Sequence, residues 1–237
     1  MSAGSAIEWT DHTWNPVTGC TKVSAGCKFC YAETFARRQM GPWRGRAFTD
    51  VRIHPERLAQ VKRFKPGSRV FVNSMSDLFH EEIPFDFLAQ VFRVMGEHPR
   101  VTFQVLTKRP GEMVDRVCGH LPVPPNVWLG VSVENQEQVD RVRLLEIVPC
   151  RVRFVSAEPL IGPLSLRGPL CAKSLDWVIV GGESGPHCRP MDPEWAVNLA
   201  IECTQSDVPF FMKQMGGYPN KRGKLTDLAV RRREFPR

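Results

Sequence analysis

The chain has 237 residues, 42% apolar and 24% charged, an ordinary globular composition with enough apolar residues for one large core. No run of eighteen apolar residues occurs and no basic-then-apolar segment opens the chain, so neither a membrane-spanning helix nor a signal peptide is expected. The net charge of +7 is lopsided: residues 1–69 hold 12 Lys/Arg against 5 Asp/Glu, and residues 70–237 hold 20 against 20, so a polyanion, nucleic acid above all, is a natural partner.

The N-terminal third carries three of the eight cysteines in GCTKVSAGCKFCYAE, spaced Cys20-x6-Cys27-x2-Cys30. This segment reads as the first strand-and-loop unit, followed by a helix from about Tyr31 to Met40. Next comes a basic, insertion-like stretch over residues 41–67, with Trp43 and Phe48 interleaved among its cations. From Arg69 the chain repeats short β-rich runs, most followed by a helical pattern. The runs are RVFVNSMSD, VTFQVLTK, NVWLGVSVEN, RVRFVSAEP, LDWVIVGGESG and VPFFMKQMG. PFDFLAQVFRVMGEHP puts Phe87, Leu88, Val91, Phe92 and Met95 on one helical face. A second helix is expected in NQEQVDRVRLLEIVP. DPEWAVNLAIECTQSD is a third, with Asp192 as N-cap and Pro193 in the first turn. LIGPLSLRGPLCAKS, rich in Gly and Pro, reads as irregular. A basic tail over residues 221–237, with Arg231, Arg232 and Arg233 in a row, closes the chain.

Strands alternating with helices imply parallel strands and crossover helices. The expected fold is α/β: a partial or compact (β/α) barrel of about six to seven units, in a single domain over residues 1–237, with a doubly wound open sheet as the competing architecture. A full eight-unit barrel typically takes about 250 residues. The strand ends are polar in succession: Asn73, Ser74, Ser76 and Asp77; Thr107 and Lys108; Ser132 and Glu134; Ser156 and Glu158; Glu183; Lys213 and Gln214. Singly each reads as a cap or a solvated loop residue; together they read as a polar cavity at the C-terminal mouth of a barrel.

Eight cysteines without a leader sequence suggest a reducing, cytoplasmic setting. Three clustered thiols suit zinc completed by His12, a redox pair at Cys27 and Cys30, or an iron–sulfur cluster with one iron left without a protein ligand. Cys118, Cys150, Cys171 and Cys203 have no motif spacing and read as packing residues.

The CKFC ending, with aromatic Phe29 before the last cysteine, resembles the radical S-adenosylmethionine superfamily, although the six-residue first spacing is longer than its usual one. WNPVTGCTKVSAGCKFCYAE, NSMSDLFH, LTKRP, GVSVEN, SAEPL, GGESG and FFMKQMGG together resemble a phage-associated three-cysteine-motif family, also found in bacterial genomes. The resemblance implies a [4Fe–4S] cluster on Cys20, Cys27 and Cys30. The open iron would bind S-adenosylmethionine, whose reductive cleavage gives a 5′-deoxyadenosyl radical that abstracts hydrogen from a substrate. It further implies that the backbone at Phe29 lies near the adenine and that Asn73, Ser74, Ser76 and Asp77 stand near the methionine amino group. Ser132 and Glu134 would reach the ribose, with Ser156 and Glu158 one strand further round. Cys188, in PHCRP, is a candidate hydrogen donor. An electron donor such as flavodoxin or ferredoxin is implied as a partner. With the basic flank, the substrate expected is nucleic acid, as a base modification or a lesion repair of the spore photoproduct lyase type. A zinc-stabilised, non-enzymatic nucleic-acid-binding module is the alternative.

Overall fold

Alternation along each apolar run decides which side of the sheet a residue meets. In a computed structural model, which describes residues 5–219 and 231–236, the strands are β1 (His12–Trp14), β2 (Val17–Thr18), β3 (Arg52–Ile53), β4 (Arg69–Val72), β5 (Thr102–Thr107), β6 (Val127–Ser132), β7 (Arg153–Ala157), β8 (Trp177–Gly181) and β9 (Phe210–Gln214). The helices are α1 (Tyr31–Ala36), α2 (Phe85–Gly96), α3 (Pro110–Val117), α4 (Asp140–Ile147), α5 (Arg167–Cys171) and α6 (Pro193–Ser206). Seven strands form one parallel sheet in the order β1-β4-β5-β6-β7-β8-β9, curled into a half-barrel. β2 and β3 form a small antiparallel ribbon beside it.

Residues of odd and even parity separate cleanly. Val70, Val72, Phe103, Val105, Leu129, Val131, Val155, Val178, Val180 and Phe210 pack outward with Phe87, Leu88, Val91, Met113, Leu145 and Leu199 from the helices. Phe71, Phe154, Trp177, Ile179 and Phe211 point the other way and form a second, aromatic cluster with Trp9 inside the curl. A parallel sheet needs both faces covered; here helices cover one and aromatic side chains fill the other. Gly130 makes the inner packing feasible, because a Cβ there would stand 2.5 Å from the Phe154 ring.

All six later runs form strands, and the three expected helices are present. Asp192 caps α6 by accepting from the Glu194 N–H at 3.0 Å. Four local expectations change. The first barrel strand is β1, ahead of the cysteines rather than around them. The helix after Cys30 is regular only to Ala36. The Gly/Pro-rich link contains α5. The 41–67 stretch is woven into the fold rather than inserted: Trp43, Arg46 and Val61 are buried in it. The tail expectation falls partly on residues 220–230 and 237, outside the described residues. Residues 231–236 lie along the outer edge of β9, with Met212 N–H donating to Arg232 O and Glu234 N–H to Phe210 O. Among the described residues no helix is long and apolar enough to cross a membrane.

Candidate active site

The inward-facing parity that is aromatic in mid-strand turns polar toward the C-terminal ends. Above Phe71, Phe154 and Phe211 stand Asn73, Ser156 and Lys213, with Ser132 on β6 and Glu158 just past β7. These residues line a cavity of about 1350 Å³, open at the mouth. Cys20, Cys27 and Cys30 line the same cavity. Cys20 follows the β2 ribbon strand, Cys27 ends a single helical turn (Ala25–Cys27), and Cys30 precedes α1. All eight cysteines are free thiols, and the three in this loop are half-buried. Burial, followed by the nearby Asp77 carboxylate, pushes the Cys20 thiol up to about 12, against the opposing Arg109 guanidinium. Among the described residues no three His, Cys, Asp or Glu side chains converge on one point that could hold a single metal ion.

Three polar anchors hold the cysteine loop. Thr21 Oγ1 accepts from Arg109 Nη2 at 2.6 Å and pairs with His80 Nε2 at 2.9 Å. Ser24 Oγ donates to Glu134 Oε1 at 2.6 Å, while Glu134 Oε2 pairs with Arg141 at 2.9 Å. The Ala25 carbonyl accepts from Arg189 Nη2 at 3.0 Å, and Arg189 is itself clamped by the buried Glu183 at 2.6 Å. His80, Arg109, Arg141 and Arg189 were not singled out by the sequence; the only signal that could have found them is their position just after polar strand ends.

The structure brings most of the expected site residues together and reassigns some. Asn73 is 3% exposed, lines the cavity, and has no hydrogen-bond partner at either side-chain atom. Ser74, Ser76 and Asp77 also line the cavity but are already engaged. Ser74 Oγ pairs with Asn15, Ser76 Oγ donates to the Val17 carbonyl, and Asp77 accepts from Thr107 Oγ1 at 2.7 Å and Lys108 N–H at 2.9 Å. Glu158 Oε2 accepts from Ser156 Oγ, Trp9 Nε1 and Lys213 Nζ at 3.3–3.4 Å. Its Oε1 lies 3.1 Å from Lys213 Nζ without hydrogen-bond alignment.

Glu134 lies beneath the cysteine loop. It is 1% exposed and is not among the residues lining the cavity; both oxygens are spent beneath the loop, on Ser24 and Arg141. Cys188 is half-buried on the loop after β8 and likewise lies outside the cavity lining. Phe29 lines the cavity, with His187 (6.0 Å) and Arg189 (5.5 Å) of that loop against its ring. The paired glycines of GGESG serve packing: a Cβ on Gly182 would meet the Met215 carbonyl at 2.1 Å. His12 stacks on Phe64 at 5.2 Å and is not among the cavity-lining residues. Trp43 is a core residue, 2% exposed against Phe48 and Arg46.

The fold and site therefore define a half-barrel α/β protein with a thiol-lined cavity at the C-terminal mouth of its sheet. The chain belongs to the family described as "Protein of unknown function (DUF5131)", whose model matches residues 4–234. No curated protein matches it. Among solved structures it is similar to spore photoproduct lyase complexed with dinucleoside spore photoproduct, at 13% identity and a TM-score of 0.50, and to a cysteine-to-serine mutant of spore photoproduct lyase, at 14% and 0.49. Each match covers 94% of this chain and 65% of the other, so the chain spans about two thirds of the length of those structures. At that identity the likeness is one of fold.

Proposed function

We propose that this protein is a radical S-adenosylmethionine enzyme acting on nucleic acid. The observation that carries the reading is the presence of three thiols from one loop on the wall of a cavity that also holds a buried, unpartnered amide. A [4Fe–4S] cluster takes each thiolate on a different iron, so it asks for thiols spread along a wall. Cys20, Cys27 and Cys30 would hold it, and with S-adenosylmethionine it would supply a 5′-deoxyadenosyl radical for hydrogen abstraction. The protein's own part is to bind, orient and exclude water. Asn73 offers a donor and an acceptor to a polar ligand. Ser132, Ser156 and the Glu158–Lys213 pair line the wall, while Trp9 and Phe71 keep the floor dry. Ser74, Ser76 and Asp77 shape the site through the partners their side chains already hold. The basic N-terminal third supports nucleic acid as the substrate, in a modification or lesion-repair reaction, and a flavodoxin or ferredoxin would deliver the electron.

The test is anaerobic reconstitution with iron and sulfide, followed by iron counting in the wild type and in Cys20→Ala, Cys27→Ala and Cys30→Ala. The expected outcome is a brown protein with about four irons, each variant losing most of them, and 5′-deoxyadenosine formed on reduction with S-adenosylmethionine. A colourless protein retaining one tightly bound zinc would overturn the enzyme reading in favour of a zinc-stabilised binding module.

A further inference from the structure

The structure redraws the basic flank of the chain. Arg46 is buried, with its guanidinium on Thr18 and Asp50; Arg57 donates to the Asn15 carbonyl; Arg52 pairs with Asp50 and Arg37 with Glu33. These charges hold the protein together. The exposed apolar residues redraw it further. Of nine large hydrophobic side chains exposed among the described residues, four lie between positions 23 and 40: Val23, Tyr31, Phe35 and Met40. Tyr31 and Phe35 stand at i and i+4 of α1, with Arg38 just past its end, while Ala32 and Ala36 are turned inward. The Arg38 guanidinium stands 5.3 Å over the Phe35 ring. The Tyr31 hydroxyl donates to the Ser74 carbonyl at 2.5 Å, and the residue lines the cavity. The outer face of α1 is therefore continuous with the cavity mouth. Lys28 lies just ahead of it, and neither Lys28 nor Arg38 has an acidic partner among the described residues.

We infer that this face is the landing strip for an unpaired nucleic-acid strand whose target nucleotide enters the cavity. Phe35 stacks on a base, and Arg38 and Lys28 meet phosphates. Exposed ring faces alternating with unpaired cations are what single strands use, since every base has a π-face and every linkage a charge. An acidic protein surface would satisfy the cations but would leave Phe35 and Tyr31 in water. The inference rests on the nucleic-acid reading above and deepens it from a basic flank to one helix.

The experiment is fluorescence anisotropy of the full chain with a labelled single-stranded oligodeoxynucleotide over a salt series. Phe35→Ala is expected to weaken binding between about fivefold and about a hundredfold. Arg38→Ala should also lower the slope of log K against log salt by about 0.7. Ile201→Ala, which removes an exposed apolar side chain on α6, should bind as the wild type does. Phe35→Leu keeps the apolar contact but removes the ring, so it should weaken binding as Phe35→Ala does even if that variant folds poorly. Wild-type affinity and salt slope in Phe35→Leu and Arg38→Ala would overturn the inference while leaving the substrate reading intact. No binding by the wild type at low salt would overturn both. Unchanged DNA affinity with slowed reduction by flavodoxin would assign the face to the electron donor and overturn the inference.

Discussion

His80 shows how one side chain holds a loop that carries none of its own backbone neighbours. It is fully buried, and its Nδ1 accepts from the Glu82 N–H at 3.2 Å. That contact fixes the proton on Nε2, which donates to Thr21 Oγ1 beside Cys20. The neutral ring is the form the site needs. Burial first, and then the Arg109 guanidinium, hold its pKa below the usual 6.5, with Glu81, Glu82 and Asp77 opposing. The sign follows from linkage. With the folded value depressed, the unfolded chain takes up the proton first as pH falls, so the stabilisation is complete above about 6.5 and is lost toward the folded value. The melting temperature of the apo-protein should therefore fall more steeply between about pH 7 and pH 5 in the wild type than in His80→Gln. Parallel slopes in calorimetry would remove His80 from the anchor.

The cysteine loop as an element explains the long spacing between Cys20 and Cys27. The intervening residues are not slack: Thr21, Ser24 and Ala25 each meet a partner from a different strand end. Gly26 lets the turn settle onto Glu134, where a Cβ would stand 2.3 Å from Oε1. Gly26→Ala must lift the loop or displace the buried Glu134–Arg141 pair. Overpacking costs about 1–3 kcal/mol, and loosening a buried ion pair adds to it. Urea unfolding should show a loss in that range, and reconstituted iron should drop although no cysteine is touched. Iron content and stability both equal to the wild type would mean that the loop tolerates the lift. The same element marks the reach of sequence reading. The six later strands were legible because each is a β-rich apolar run, four to six residues long in the fold, and their polar ends announced the cavity. β2 and β3, two residues each, are too short for any period to show. α3 was missed because Pro110 and Gly111 look like a turn, although Pro110, Met113 and Val117 make a buried stripe. Glu134 was read as a ligand-facing carboxylate because pattern gives parity but not partners, and its partners Ser24 and Arg141 come from elements that no spacing connects to it.

At the scale of the molecule, a half-barrel has the problem of its two open edges, since unpaired strand edges invite association. Here the two ends of the described chain fill the gap. The segment entering β1 runs inside the curl, where Trp9 joins the aromatic cluster and its carbonyl accepts from Gln104 Nε2 at 3.2 Å. Residues 232–234 pair antiparallel along β9, and Trp177 Nε1 donates to the Glu234 carbonyl at 2.8 Å. Arg233 pairs with Glu8 at 2.5 Å, joining the two segments, and both residues line the cavity. Phe235 then packs against Trp177 and Phe211, each at 5.3 Å, with the Arg69 guanidinium 3.8 Å over its ring. It thus connects β4, β8 and β9 across the end of the curl opposite the cysteines. A segment read from sequence as a basic tail is, over these residues, a strap whose last aromatic is a plug. Phe235→Ala removes the plug and leaves Arg69 without its ring. A fully buried Phe→Ala costs about 3–5 kcal/mol; because Phe235 is half-buried, a loss near ~3 kcal/mol is expected by urea denaturation. The iron content of folded protein should be unchanged, because the anchors of the cysteine loop lie at the other end of the strands. A stability within about 0.5 kcal/mol of wild type, the range of neutral surface changes, would show that the half-barrel closes without its strap.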